Sequence, residues 1–187
     1  MNIPAQYQWL QELPTLPKTI SLALKELGVA EVVGRGSNKT IIAWRDELNL
    51  AGVKISGYSD DSIPWCGLFV AIIAFRRMGV AAEVVVDPLW ARNWATYGKK
   101  SDKASLGDVL VFVRNGGGHV GFYLGEDKYC YHVLGGNQSD KVCITRIEKS
   151  RCIAVRRPPY KISPDAVKPT LLSAKGMVSK NVSKNEA

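Results

Sequence analysis

Histidine is scarce in this chain: its 187 residues carry two, His119 and His132. Any mechanism built on an imidazole therefore has two candidates. Cysteine is nearly as scarce, and Cys66, Cys130, Cys143 and Cys152 show no C-x-x-C spacing, which speaks against a zinc site. The last three fall in strand-like runs and read as small buried hydrophobes, with a bridge between two of them left open. No N-terminal stretch puts a charged region ahead of an apolar one, so no signal peptide is expected. No apolar run approaches the length of a membrane span, so stable membrane insertion is not expected either. Gly34-Arg35-Gly36 lacks the preceding strand and the further glycine of a phosphate-binding loop. Asp60-Asp61 lacks the alternating oxygen ligands and the distal glutamate of a calcium loop. The expectation is no metal and no cofactor.

Acidic residues are outnumbered: 25 Lys and Arg against 17 Asp and Glu leave a net charge of +8. Residues 160–187 lose periodicity and hold five lysines against one aspartate and one glutamate, which reads as a basic disordered tail. The remainder keeps +5, and residues 1–159 are read as one domain, large enough for a real core. A basic protein suits an anionic partner: nucleic acid, a membrane surface or an anionic cell-wall polymer. A nucleic-acid binder needs cations gathered on one face with aromatics for stacking. Here the charges are scattered and densest in the tail, so that reading ranks last.

What is present centres on Pro64-Trp65-Cys66-Gly67-Leu68-Phe69-Val70. Pro64 suits a helix entrance. Nearly every residue from Trp65 to Phe75 is apolar, which predicts a buried helix. Arg76 and Arg77 fall in its last turn, and Gly79 is the C-cap. Cys66 thus sits at the helix start, where unpaired N–H groups and the positive end of the dipole favour a thiolate.

The rest of the chain supplies a frame. Trp9 and Leu10 lie in a proline-rich N-terminal arm. Thr19–Leu27 and Thr40–Leu50 are predicted helices, the second with Ser37 or Asn38 as N-cap. Val80–Pro88 reads as a short strand or connector, and Leu89–Tyr97 as a helix. From Gly107 the period changes to five short runs: Asp108–Arg114, His119–Leu124, Lys128–Leu134, Lys141–Ile147 and Cys152–Arg156. These predict an antiparallel meander of four or five strands. Helices first and strands second give an α+β class.

His119 follows Asn115-Gly116-Gly117-Gly118 and opens the second predicted strand. With Glu126-Asp127 as a two-residue turn, His119 faces Leu134, and Gly135-Gly136-Asn137-Gln138 lie beside it. One strand end then collects an imidazole and a side-chain amide, with Cys66 presented by the buried helix. That set suits amide cleavage: a thiolate attacks the carbonyl, an imidazole protonates the leaving amine, and a polar group orients the imidazole. The candidate catalytic residues are Cys66, His119 and Asn137. The Cys66 N–H is the natural oxyanion donor and Tyr58 a weaker second one. Trp65 and Gln138 are further oxyanion or substrate-binding candidates. His132, inside an apolar strand, is read as packed and non-catalytic.

The runs Asp60-Asp61-x-x-Pro64-Trp65-Cys66-Gly67-x-Phe69-Val70, Gly107-Asp108-Val109-Leu110-Val111-Phe112, Gly118-His119-Val120-Gly121-Phe122 and Val133-Leu134-Gly135-Gly136-Asn137-Gln138, together with Glu26 to Gly34, resemble the NlpC-like and CHAP cysteine peptidases. The similarity is greatest to a small single-domain type found in phages and bacteria, and it covers roughly residues 9–158. It implies a papain-like fold and cleavage of amide bonds in peptidoglycan, either within the stem peptide or between muramic acid and alanine. It maps the nucleophile to Cys66, the base to His119 and the orienting residue to Asn137. Many CHAP enzymes place a glutamate two residues before that asparagine, where this chain has Gly135, so the third role rests on Asn137, with Gln138 as the nearest substitute. The expected protein is a monomeric peptidoglycan hydrolase made in the cytoplasm. It would reach the wall through a holin's lesion, as a phage lysin, or through secretion machinery, as an exported effector. The alternative is a non-catalytic wall-binding or virion structural protein on the same fold.

Overall fold

The computed structural model describes residues 3–172. The class is α+β: short helices, then a six-stranded antiparallel sheet. Helix α1 (Lys18–Lys25) buries Ile20, Ala23 and Leu24, and α2 (Lys39–Leu50) buries Ile41, Trp44 and Leu48. Both sets follow the spacing of one helix face. Asn38 caps α2, its side chain accepting the Thr40 N–H at 2.8 Å. Helix α3 (Cys66–Met78) has ten of its thirteen residues buried and ends at Gly79 in the left-handed conformation, φ 75°. Burying each large side chain of this kind, such as Phe69, contributes roughly 1.5–3 kcal/mol.

The strands are β1 (Lys99–Lys100), β2 (Val109–Arg114), β3 (Gly117–Glu126), β4 (Cys130–Gly135), β5 (Cys143–Glu148) and β6 (Cys152–Arg157). Their order is β1-β6-β2-β3-β4-β5. Strands β2 to β5 form the expected meander, but β6 crosses back to pair with the far side of β2, and the unpredicted β1 pairs with β6. One sheet face, with Val109, Val111, Val120, Phe122 and Leu134, packs into the main core with α3. The other face gathers Leu110, Phe112, Tyr123, Val133 and Ile147 into a second cluster. Among the described residues no helix is long and apolar enough to cross a membrane.

Three local expectations are corrected. The helix expected over Leu89–Tyr97 is a 3-10 helix over Ala91–Thr96, while Val80–Pro88 takes the connector form of the two expected for it, with a 3-10 turn at Ala81–Glu83. The β3–β4 connection has three residues instead of two, because Asp127 Oδ1 accepts the N–H groups of Tyr129 (2.9 Å) and Cys130 (3.0 Å). With a bulge between Tyr123 and Gly125, Leu134 faces Phe122 and not His119. Thirdly, the tail expected from 160 is hydrogen-bonded to the sheet over its first part. The Glu126 N–H donates to Thr170 O at 2.8 Å, the Leu172 N–H to Glu126 O at 2.8 Å and the Thr170 N–H to Tyr123 Oη at 3.0 Å. These are backbone contacts to an overhang of β3, which side-chain periodicity does not register. Residues 173–187 of the expected tail lie outside the described residues.

Candidate active site

Helix α3 opens at the centre of the sheet, and its first residue is Cys66, 5% exposed. Burial pushes the thiol pKa up. The backbone N–H of Val120, the charge of Arg114 and the N–H groups of Gly67 and Cys66 itself oppose that rise. The thiolate-favouring environment expected at a helix start is therefore outweighed, because desolvation is the largest influence on this sulfur. The N–H groups of Cys66 and Gly67 at the head of α3 face the sulfur.

His119 is buried and faces Phe112 across the β2–β3 ladder, ring centroids 6.4 Å apart. Val120, the next residue, turns its side chain into the main core and its N–H to the Cys66 sulfur. Sulfur and imidazole thus meet the same two-residue segment of β3. Ladder pairing with β4 ends at Phe122–Leu134, so that segment is buried without being paired to β4.

The side-chain amide that meets the His119 ring is that of Gln138, whose Oε1 lies 3.0 Å from His119 Nε2. The Gln138 amide is locked from its other end: its Nε2 donates to Cys143 O at 2.6 Å and to Val133 O at 3.3 Å. An acceptor oxygen facing Nε2 requires that nitrogen to carry the proton, which leaves the lone pair on Nδ1. Gly135 makes room for this pair. A Cβ there would lie 2.8 Å from Gln138 Oε1 and 3.2 Å from His119 Nε2. The space that a side chain at 135 would fill is occupied by Gln138, which explains why glycine stands where the resemblance leads one to expect glutamate.

Asn137 points elsewhere and does not touch the His119 ring through any of its bonds here. Its Nδ2 donates to Glu31 Oε1 at 2.7 Å, and its buried Oδ1 has no partner among the described residues. The same Glu31 oxygen accepts the Trp65 indole N–H at 2.7 Å. Glu31 thereby joins the residue before Cys66 to the residue before Gln138. Burial raises the Glu31 pKa, the Trp65 bond lowers it, and Asp140, Asp61 and Asp60 raise it further. In the sequence Glu31 stands in the Glu26–Gly34 run that carries part of the resemblance, with no role read for it; its partners are 34 positions away at Trp65 and 106 away at Asn137.

The remaining candidates are structural. Trp65 is fully buried, tilted against Trp44 with centroids 5.9 Å apart, and is thereby removed from any substrate. Tyr58 is buried beside Glu31 and Asp61, and its hydroxyl has no partner among the described residues. Burial raises its pKa, and the neighbouring carboxylates add to the rise. His132 bonds Tyr7 Oη through Nδ1 (2.7 Å) and Asp127 Oδ2 through Nε2 (3.0 Å), a closed network away from Cys66. All four cysteines are free, and no cluster of three or more His, Cys, Asp or Glu suited to a metal occurs among the described residues. No family model and no curated protein matches the chain.

Proposed function

We propose that this chain is a cysteine hydrolase of amide bonds in peptidoglycan, with Cys66 as nucleophile, His119 as base and Gln138 as the group that orients it. The observation carrying the reading is the locked Gln138 amide, which sets the His119 tautomer beside the segment whose N–H reaches the Cys66 sulfur. In this mechanism Nδ1 of His119 takes the thiol proton as sulfur attacks the carbonyl carbon. The helix-start N–H groups meet the oxyanion. The imidazolium, still bonded to Gln138, then protonates the leaving amine and the thioester is hydrolysed. The papain-like fold, the wall location after release by a holin or a secretion machine, and the monomeric state belong to this proposal. The net charge of +8 suits an anionic wall.

One observation favours a second reading, a non-catalytic wall-binding or virion structural protein: Cys66 is held as a buried thiol. The test is clearing of purified peptidoglycan by the wild type and by Cys66→Ala, with mass spectrometry of the new ends. Clearing that is lost in Cys66→Ala supports the hydrolase, and the ends separate endopeptidase from amidase. No clearing of walls of several chemistries moves the second reading ahead.

A further inference from the structure

The segment from Pro88 to Asn93 crosses the front of the candidate site. Gly67, the residue after Cys66, has no space for a side chain because the carbonyl oxygens of Pro88 and Leu89 fill it; a Cβ there would lie 2.7 Å from Leu89 O. Gly118, the residue before His119, is closed from the same segment, its Cβ position 3.0 Å from Arg92 Cγ and 3.4 Å from Ala91 Cβ. Trp90 lies between these two contacts, so its backbone spans the gap between the start of α3 and the start of β3.

This segment is firmly held. The Trp94 indole donates to Pro88 O at 2.9 Å, Asn93 Nδ2 to Asp87 O at 3.1 Å, and the Arg92 guanidinium to Gly117 O at 2.7 Å. Trp44, Trp65 and Trp94 are fully buried, yet Trp90 is 70% exposed. A single exposed apolar side chain is ordinary on a protein surface. A large ring left out of the core, on a rigid segment that touches the residue after Cys66 and the residue before His119, is a preformed stacking surface.

We propose that Trp90 is a saccharide-binding residue, its ring stacking on the apolar face of a sugar in the glycan strand that carries the scissile peptide. This rests on the peptidoglycan reading. Arg92 and Asn93 hold the segment through their side chains, while Asp87 is exposed and meets those bonds through its backbone oxygen alone, so its carboxylate is an acceptor available to the hydroxyls of a sugar.

The test is calorimetric binding to the Cys66→Ala chain, which stops turnover. The probes are a soluble disaccharide-peptide cut from peptidoglycan and the same peptide without its sugars. The expected result is about tenfold tighter binding of the sugar-bearing probe, equivalent to roughly 1.4 kcal/mol. Adding Trp90→Ala removes that preference and leaves affinity for the bare peptide within twofold; Trp90→Phe restores most of it. The proposal is overturned if the preference is absent at the start, if it survives Trp90→Ala, or if Trp90→Ala weakens both probes equally. Cleavage by the wild type is followed in parallel. A sugar preference without cleavage sinks the hydrolase reading and keeps the subsite; cleavage without a preference does the reverse.

Discussion

Gln138 Oε1 sits 3.0 Å from His119 Nε2, and the far end of the same amide is fixed by Cys143 O. A flipped amide would lose the Cys143 bond and turn an N–H toward the ring. Gln138 therefore decides which imidazole nitrogen carries the proton, which in the proposed mechanism is the task of the third member of a nucleophile–base–orienter set.

Removing that acceptor should remove the tautomer preference. Gln138→Leu is expected to lower turnover about 10²-fold, within the usual worth of a positioned general base, while leaving the Michaelis constant near its starting value. Gln138→Glu keeps an acceptor and adds a negative charge, which favours the imidazolium. Its acidic limb should therefore move to higher pH. Asn137→Ala, which touches Glu31 instead, should leave the limb in place. A limb that shifts with Asn137 and ignores Gln138 would return the orienting role to Asn137.

Adjacent glycines should fail in different ways. A Cβ on Gly135 would press on the Gln138–His119 pair, so Gly135→Ala is expected to cost activity at nearly unchanged melting temperature. A Cβ on Gly136 would lie 2.6 Å from Phe69 Cβ and 2.7 Å from the Trp65 ring. Gly136→Ala overpacks the core, at a cost of about 1–3 kcal/mol. Thermal unfolding of both variants beside the wild type checks this, and equal destabilisation would rule out the division of roles.

Much of this arrangement is legible in the residues themselves. The apolar run after Pro64 marks α3 because a stripe all the way round has no solvent face, and Gly79 marks its end. The valine-rich runs mark the strands. Register is harder, because it depends on one loop. Asp127 caps two N–H groups and lengthens the β3–β4 turn to three residues, and the bulge after Tyr123 adds a further shift. The result is that Leu134 moves three positions along β3, from His119 to Phe122, and the amide reaching the imidazole becomes that of Gln138. Glu31 falls in the Glu26–Gly34 run, but its role is not legible there for a different reason: its partners are joined to it only by the tertiary fold. Burial of Cys66 likewise depends on what packs over the helix start, while a sequence motif shows only the dipole.

That burial makes a prediction about the resting protein. With desolvation dominating, the Cys66 pKa lies above that of an ordinary thiol. Iodoacetamide labelling of Cys66, resolved from the other cysteines by mass spectrometry, should be slow at pH 7 and should climb at higher pH than labelling of a free thiol run beside it. A plateau of fast labelling reaching below pH 6, lost in His119→Ala, would instead mean a resting thiolate–imidazolium pair and would displace the buried-thiol description.

The second histidine governs stability. His132 donates through Nε2 to Asp127 and accepts the Tyr7 hydroxyl at Nδ1, so its neutral form has both ring nitrogens satisfied. Burial depresses its pKa, Asp127 partly offsets this, and Arg146 adds to the depression. A depressed histidine contributes stability that is present above its unfolded pKa of about 6.5 and lost as pH falls through the folded value. For Asp127, burial raises the pKa, but the N–H groups of Tyr129 and Cys130, with Arg146 and His132, outweigh it and bring the carboxyl down to about 2. Its contribution is present above the unfolded value of about 3.9 and is lost between there and about pH 2, on the order of 2–3 kcal/mol. Acid unfolding should thus come in two stages. Urea midpoints measured from pH 8 to pH 2 should show His132→Gln abolishing the upper slope and Asp127→Asn the lower one. Asp127→Asn also withdraws the negative charge that offsets the His132 shift, so its upper stage should extend to lower pH. A lower slope that survives Asp127→Asn would place the acid-labile carboxylate elsewhere.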